Sequence, residues 1–316
     1  MGVRSLLCAM AIGATGCSYP QSQQPTQLPG EFAADSAFPS EDVRHNASQV
    51  DGSEAAAQLQ TCMDAIHTMD IDLSAYDTAI KAQYGGRCSA YGLVAAMENK
   101  ANQGAVRLSE KKLDLSETHQ FWTQHFNYSS PVAILKATTY PIMEERYWVE
   151  QNYDGFIRVA VHRFFGKPDL GAVEGLVVAE HKQIHKMDDL DSLSALEICQ
   201  GLLELQAKNP LYMALSSNSS LYAMDSPVSA EPVPGNGHAV AAIGYKVTSK
   251  SPLTGYFKIK NSWGTKAGNV TTVGLRPGYQ AVPFAYCTDE KQYCGLWAIR
   301  AVKKKKIELD GKRPVR

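Results

Sequence analysis

An excess of charge of either sign is missing: 31 basic and 32 acidic side chains leave a formal net charge of −1. That removes the electrostatic field by which a protein holds nucleic acid or an acidic surface as its main partner. Also missing are a glycine-rich phosphate loop and any pair of cysteines at zinc-binding spacing, so no cofactor or metal is implied. No internal repeat occurs. The N-terminal apolar run Leu6–Ile12 is too short to cross a bilayer as a helix. What remains is ordinary globular material. With 316 residues, 44% of them hydrophobic, the chain can form a core of the usual size, in one large domain or two small ones.

The first residues read as a leader. Arg4 supplies a positive charge, Leu6–Ile12 an apolar stretch, and Ala14, Thr15 and Gly16 the small residues that signal peptidases require. Cys17 follows at once, in an Ala-Thr-Gly-Cys order similar to a bacterial lipobox, whose cysteine carries lipid. The expected organisation begins with a lipoprotein-type signal peptide over 1–16. Residues 17–68 form a flexible stalk or pro-like segment, rich in Ser, Gln, Pro, Ala and Asp, with helix formers over 53–67. The globular domain covers 69–301, and 302–316 is a solvated basic tail containing Lys303–Lys306.

There are seven cysteines, at positions 8, 17, 62, 88, 199, 287 and 294. Assigning Cys8 to the leader, Cys17 to lipid and Cys88 to chemistry leaves an even number, which in an exported protein permits two disulfides. Cys287 and Cys294 could close a small loop, with Cys62 and Cys199 as the other pair. Spacing alone does not fix the connectivity.

The stretch from Cys88 to Lys100 lacks proline, carries Tyr91, Val94, Ala95 and Met97, and follows a Gly85-Gly86 turn; it predicts a buried helix. Residues 131–137 and 190–207 also read as helix, and 209–215, 238–247 and 255–263 as strands. Helices come mostly first and strands mostly last, the order of an α+β fold.

Three residues in these elements can carry chemistry. A thiol at a helix N-terminus feels the positive end of the dipole, which favours thiolate, so Cys88 is a candidate nucleophile. His238 opens the apolar run HAVAAIGY, a rigid mount for an imidazole that pairs with the thiolate. In GYFKIKNSWGT, alternation sets Phe257, Ile259 and Asn261 on one face and Lys258 and Lys260, expected to be solvated, on the other. An inward amide must find hydrogen-bond partners, and orienting an imidazole is a role that suits it. Trp263 could shield that bond. Each residue alone has a structural reading: a packed cysteine, a satisfied core histidine, an amide serving backbone, a core tryptophan. His181, His185 and Glu180 in AEHKQIHK read as a solvated polar segment rather than a metal site. The N-x-Ser/Thr triplets at Asn46, Asn127, Asn218 and Asn269 matter only in a eukaryotic secretory pathway.

Taken together, HAVAAIGY, KNSWGT and the upstream IKAQYGGRCSAYGLVAAME resemble the papain-like cysteine peptidases, whose Cys-His-Asn set follows this chain order. LDLSETHQFW, TYPIMEERYW, NPLYMAL and CGLW extend the resemblance, which runs from about Asp70 to Arg300. It implies a two-lobed fold, with a helical left lobe, an antiparallel β-barrel-like right lobe and an active-site cleft between them. It also carries Gln83 over as a side-chain donor of the oxyanion hole, beside the Cys88 N–H. Gln83 stands one residue closer to the nucleophile than is usual in the family, Ser89 replaces a tryptophan, and Ala267 replaces another. The glycine pair that binds substrate backbone in many relatives has no clear equivalent. These departures fall on substrate recognition.

The implied activity is cysteine-type peptide hydrolysis on a protein or peptide substrate. The chain is expected to be monomeric and exported, as an outer-membrane or cell-surface lipoprotein or else periplasmic or secreted, touching membrane only through lipid on Cys17. The rival expectations are a non-catalytic binding protein on the same fold, and a transpeptidase or amide transferase using the same thiol.

Overall fold

The computed structural model describes residues 52–83, 85–107, 111–124, 129–145, 174–185, 192–217, 237–265, 275–290 and 292–306. The leader, the first part of the stalk and Cys17 lie outside the described residues.

In chain order the elements are α1 (Gly52–Ala65), β1 (Asp70–Asp72), α2 (Cys88–Arg107), α3 (Glu117–Thr123), α4 (Ser130–Thr139), β2 (Glu174–His185) and α5 (Ala195–Gln206). They continue with β3 (Leu211–Ser216), β4 (Gly237–Lys250), β5 (Leu253–Lys260), β6 (Tyr279–Pro283), α6 (Phe284–Thr288) and β7 (Cys294–Lys306). The strands form one seven-stranded sheet in the order β2-β7-β3-β4-β5-β6, with β1 added against β4. Every pairing is antiparallel. The sheet is open, not closed on itself as a barrel would be, since β2 and β6 end the path.

Two helices fix the sheet. The turn before α2 needs a left-handed residue, and Gly85 supplies it with φ of 63°. Arg87 then accepts the first helical bonds, from Ala90 N–H at 3.0 Å and Tyr91 N–H at 3.2 Å. Residues 88–99 are buried without interruption, so the first three turns of α2 are covered on all sides. On α5 the start is set by a capping box, in which Ser194 accepts from the Glu197 N–H and Glu197 reaches back to the Ser194 N–H. Strand β3 is buried at every position and β4 from His238 to Tyr245. Consecutive buried positions require cover on both faces.

Among the described residues the disulfides Cys62–Cys199 and Cys287–Cys294 close. The first ties α1 to α5. The second links α6 to the start of β7.

Lys258 and Lys260 depart from the expectation of solvated lysines. They are only 7% and 6% exposed. Lys258 meets Asp70 and Asp72 of β1. Lys260 donates to Thr78 Oγ1 at 3.0 Å and lies 3.9 Å from Glu98 Oε2 of α2. Both faces of β5 are therefore covered over residues 257–260, one of them by paired charge. Within AEHKQIHK, residues 179–185 belong to strand β2, paired along β7. Glu180 and His181 are exposed as expected, whereas His185 is half-buried with Nδ1 2.8 Å from Glu197 Oε1. The pairing reaches Lys303–Lys306, which are exposed but belong to the sheet.

Candidate active site

Cys88 is the first residue of α2, so its backbone N–H lies in the first turn, whose N–H groups point out of the helix end. The side chain is buried. One turn further, on the same helix face, Gly92 lies directly on β4. A Cβ added there would stand 2.8 Å from Val240 N and 2.9 Å from the Ala239 carbonyl carbon. Further along α2, Asn99 donates to Leu73 O at 2.9 Å, and the Leu73 N–H donates to Ile243 O at 2.8 Å. Helix and strand thus run side by side in the same direction. Cys88, four residues before Gly92, and His238, one residue before Ala239, come to the same end of that contact. The Cys88 sulfur is disulfide-bonded in this structure.

His238 sits at the start of β4, opposite Leu215 of β3, and is 3% exposed. Its Nε2 lies 2.9 Å from Asn261 Oδ1. The orientation of that carboxamide follows from a neighbour. The Ser262 backbone N–H can only donate, and it meets Asn261 Oδ1 at 2.7 Å, so the oxygen end is on the His238 side. Nε2 must therefore carry the proton, which makes Nδ1 the accepting nitrogen of the neutral ring. Nδ1 has no hydrogen-bond partner among the described residues. The Trp263 indole stacks on the imidazole, with ring centroids 4.3 Å apart and 22° between planes. Burial pushes the His238 pKa down to about 4, and the Asn261 bond partly offsets that shift.

Gln83 is attached to the same ribbon. Its backbone N–H donates to Ser262 O at 2.6 Å, Ala82 bridges to Trp263, and Gly264 N–H donates to Lys81 O at 3.1 Å. Ser262 Oγ donates to Gln83 Oε1 at 2.5 Å, and Gln83 Nε2 donates to Gly85 O at 2.9 Å. So His238, Asn261, Trp263 and Gln83 lie in one bonded set, and Cys88 approaches it on α2.

Three members of this surrounding were not singled out from sequence. Ser262 orients Gln83. Gln280 of β6 accepts from Asn261 Nδ2 at 2.5 Å. Lys81 anchors the ribbon through ion pairs at 2.8 Å with each of Asp114, Glu117 and Glu145. Burial alone would lower the Lys81 pKa, but Glu117 and Glu98 hold it above the usual lysine value, so it stays charged. A glutamine in the otherwise apolar string YQAVP was the available signal for Gln280. Among the described residues no cluster of His, Cys, Asp and Glu suited to a metal ion occurs, and no helix is long and apolar enough to cross a membrane.

A cysteine-led helix laid along a histidine-led strand, with helices packed on an open antiparallel sheet, defines an α+β fold of the papain type. The model of the papain family of cysteine proteases matches residues 67–292, and the chain belongs to that family. Among solved structures it is similar to xylellain, a cysteine protease from Xylella fastidiosa, at 18% identity and a TM-score of 0.50, over 77% of this chain and 90% of that one. It is also similar to digestive procathepsin L 3 of the Tenebrio molitor larval midgut (15%, TM-score 0.47, over 73% and 69%). Bromelain from Ananas comosus matches at 16% with a TM-score of 0.46, over 72% of this chain and 98% of that one. No curated protein matches the chain.

Proposed function

We propose that the chain hydrolyses peptide bonds through a thioacyl intermediate on Cys88, with His238 as acid and base. The observation that carries this reading is the buried His238 Nε2–Asn261 Oδ1 bond, capped by Trp263 where α2 meets β4. It commits Nε2 to Asn261 and leaves Nδ1 for proton exchange with the reduced Cys88 sulfur.

In the proposed sequence Nδ1 takes the Cys88 proton and the thiolate attacks the peptide carbonyl carbon. The resulting oxyanion is held by the Cys88 N–H and the Nε2 hydrogen of Gln83 that Gly85 does not use. Nδ1–H protonates the leaving amine as the C–N bond breaks. Nδ1 then takes a proton from water as the water attacks the thioester, and the acid and the thiol are released. Asn261 keeps the ring in place throughout, and Trp263 keeps water from their bond. Substrates are proteins or peptides. Export through the leader, a lipid anchor on Cys17 and a monomeric state complete the proposal.

The test is peptide cleavage by the parent and by Cys88→Ala, each assayed in a reducing thiol to free the sulfur. Cys88→Ala is expected to keep the parental circular dichroism and to lose activity by about a thousandfold or more. A Cys88→Ala protein as active as the parent would refute the assignment. A thiol-directed epoxide should label the parent at Cys88, whereas a binding-only scaffold would not react selectively there. Product analysis with an added amine separates hydrolysis from acyl transfer to that amine.

A further inference from the structure

The carboxamide of Asn261 is held at both ends. Its Oδ1 accepts from His238 Nε2 at 2.9 Å and from the Ser262 N–H at 2.7 Å. Its Nδ2 donates to Gln280 Oε1 at 2.5 Å. Gln280 is buried in β6, directly opposite Ile259 of β5, which makes it the diagonal cross-strand neighbour of Asn261. The Asn261 N–H donates to Gly278 O at 3.0 Å, so the backbone pairing that sets this diagonal continues past the end of β5.

We propose that Gln280 is a positioning residue for the His238–Asn261 pair, fixing the Asn261 carboxamide so that its oxygen always faces the imidazole. The inference rests on the peptidase reading above and deepens it. A carboxamide is nearly symmetric in shape, and a half-turn about its last bond would present Nδ2–H to the ring. That would force Nε2 to become the acceptor and move the ring proton to Nδ1. An imidazole so arranged cannot take a proton from Cys88. Gln280 offers an acceptor where the half-turn would need a donor, so the wrong tautomer would face a buried, mismatched pair of oxygens. The Ser262 N–H opposes the same rotation from the other side. In this role Gln280 takes no part in making or breaking bonds. It acts only through Asn261.

The test uses the full chain in reducing thiol and two variants, Gln280→Leu and Gln280→Glu. Leu keeps the bulk and removes the acceptor, while Glu keeps an acceptor oxygen in either protonation state. Gln280→Leu is expected to lower kcat about tenfold with KM within about twofold, because the loss lies in ring positioning and not in substrate binding. Gln280→Glu is expected to stay within about threefold of the parent. In an Asn261→Ala background, Gln280→Leu should change kcat by less than about twofold, the non-additivity of residues that act as a unit. Nitrogen-15 NMR of the His238 ring, read at neutral pH in a Cys88→Ala background where the ring is uncharged, should report a single Nε2–H tautomer with Gln280 or Gln280→Glu, and a mixture with Gln280→Leu. A Gln280→Leu protein with parental kcat and the Nε2–H tautomer alone overturns the proposal, as does an equal loss with and without Asn261. If Gln280→Leu does not fold, the decision passes to Gln280→Met, read for the same tautomer and kcat. A parent that cleaves no peptide sinks the peptidase reading, but the ring tautomer still decides the role of Gln280.

Discussion

Burial drives the His238 ring toward its neutral form, with a pKa of about 4, because imidazolium loses its hydration there. An adjacent thiolate works in the opposite direction, since a nearby anion favours the charged ring. The two effects separate in the Cys88→Ala protein, where only burial and the Asn261 bond remain. NMR titration should then find His238 near pH 4, and markedly higher in the reduced parent. His119 provides the control. It is buried, its pKa is about 3, and its Nδ1 accepts the Met143 N–H at 3.3 Å, so its titration should be the same in both proteins. Identical His238 titrations with and without the sulfur would argue against the pair. Activity should follow a bell, rising as the thiolate–imidazolium pair forms and falling at alkaline pH as His238 loses its proton. A profile flat into strong alkali would contradict it. The stability effect of burial has a definite sign. In Cys88→Ala, the unfolded chain takes the His238 proton near pH 6.5, before the folded chain does near 4. That ring's contribution is therefore present above about pH 6.5 and lost as pH falls through that window.

At the scale of elements, the α2–β4 contact sets how Cys88 and His238 stand to each other, and Gly92 is a point of close approach in it. The atoms an added methyl would meet are backbone on both sides, which cannot swing away as a side chain would. Gly92→Ala should thus push α2 off the sheet, at a cost of about 1–3 kcal/mol for overpacking. Thermal melting should show it as a drop of roughly 5 °C. The kcat should fall as well, since Cys88 and His238 ride on the two elements being separated. Unchanged melting and unchanged kcat would mean that the contact gives more easily than its backbone atoms suggest. Elements such as α2, β3 and β4 were legible because their own residues carry the pattern: an unbroken apolar helix after a glycine turn, and apolar runs too short for helices. Lys258 and Lys260 were not, because what buries them comes from far away in the chain. Asp70, Asp72 and Glu98 arrive through β1 and α2, and nothing within GYFKIKN announces them. Strand β2 was hidden for a similar reason. Its polar half is held by ladder bonds to β7, which leave no trace in side-chain periodicity.

At the scale of the whole molecule, the Cys62–Cys199 and Cys287–Cys294 disulfides do unequal work. Cys62–Cys199 spans 137 residues of sequence and ties α1 to α5, while Cys287–Cys294 spans seven. By loop-closure entropy the first restricts the unfolded chain by about 5 kcal/mol and the second by about 2 kcal/mol, as upper figures. Replacing Cys62 and Cys199 together by serine should lower the melting temperature more than replacing Cys287 and Cys294; equal or reversed drops would show that native packing outweighs chain entropy here. The candidate site was readable at this scale for a simple reason. His238, Asn261 and Trp263 come with strings that look alike across a family, whereas Gln280 works through one diagonal contact that only the assembled sheet creates.

Trp263 has a use beyond shelter. Its indole lies face to face with an imidazole that gains and loses charge during the proposed reaction, and a cation over an aromatic face perturbs the ring's electrons. In a protein whose other three tryptophans are replaced by phenylalanine, the emission of this one should change as the neighbouring ring is protonated. The molecule would then carry its own optical indicator, readable during turnover without any added dye.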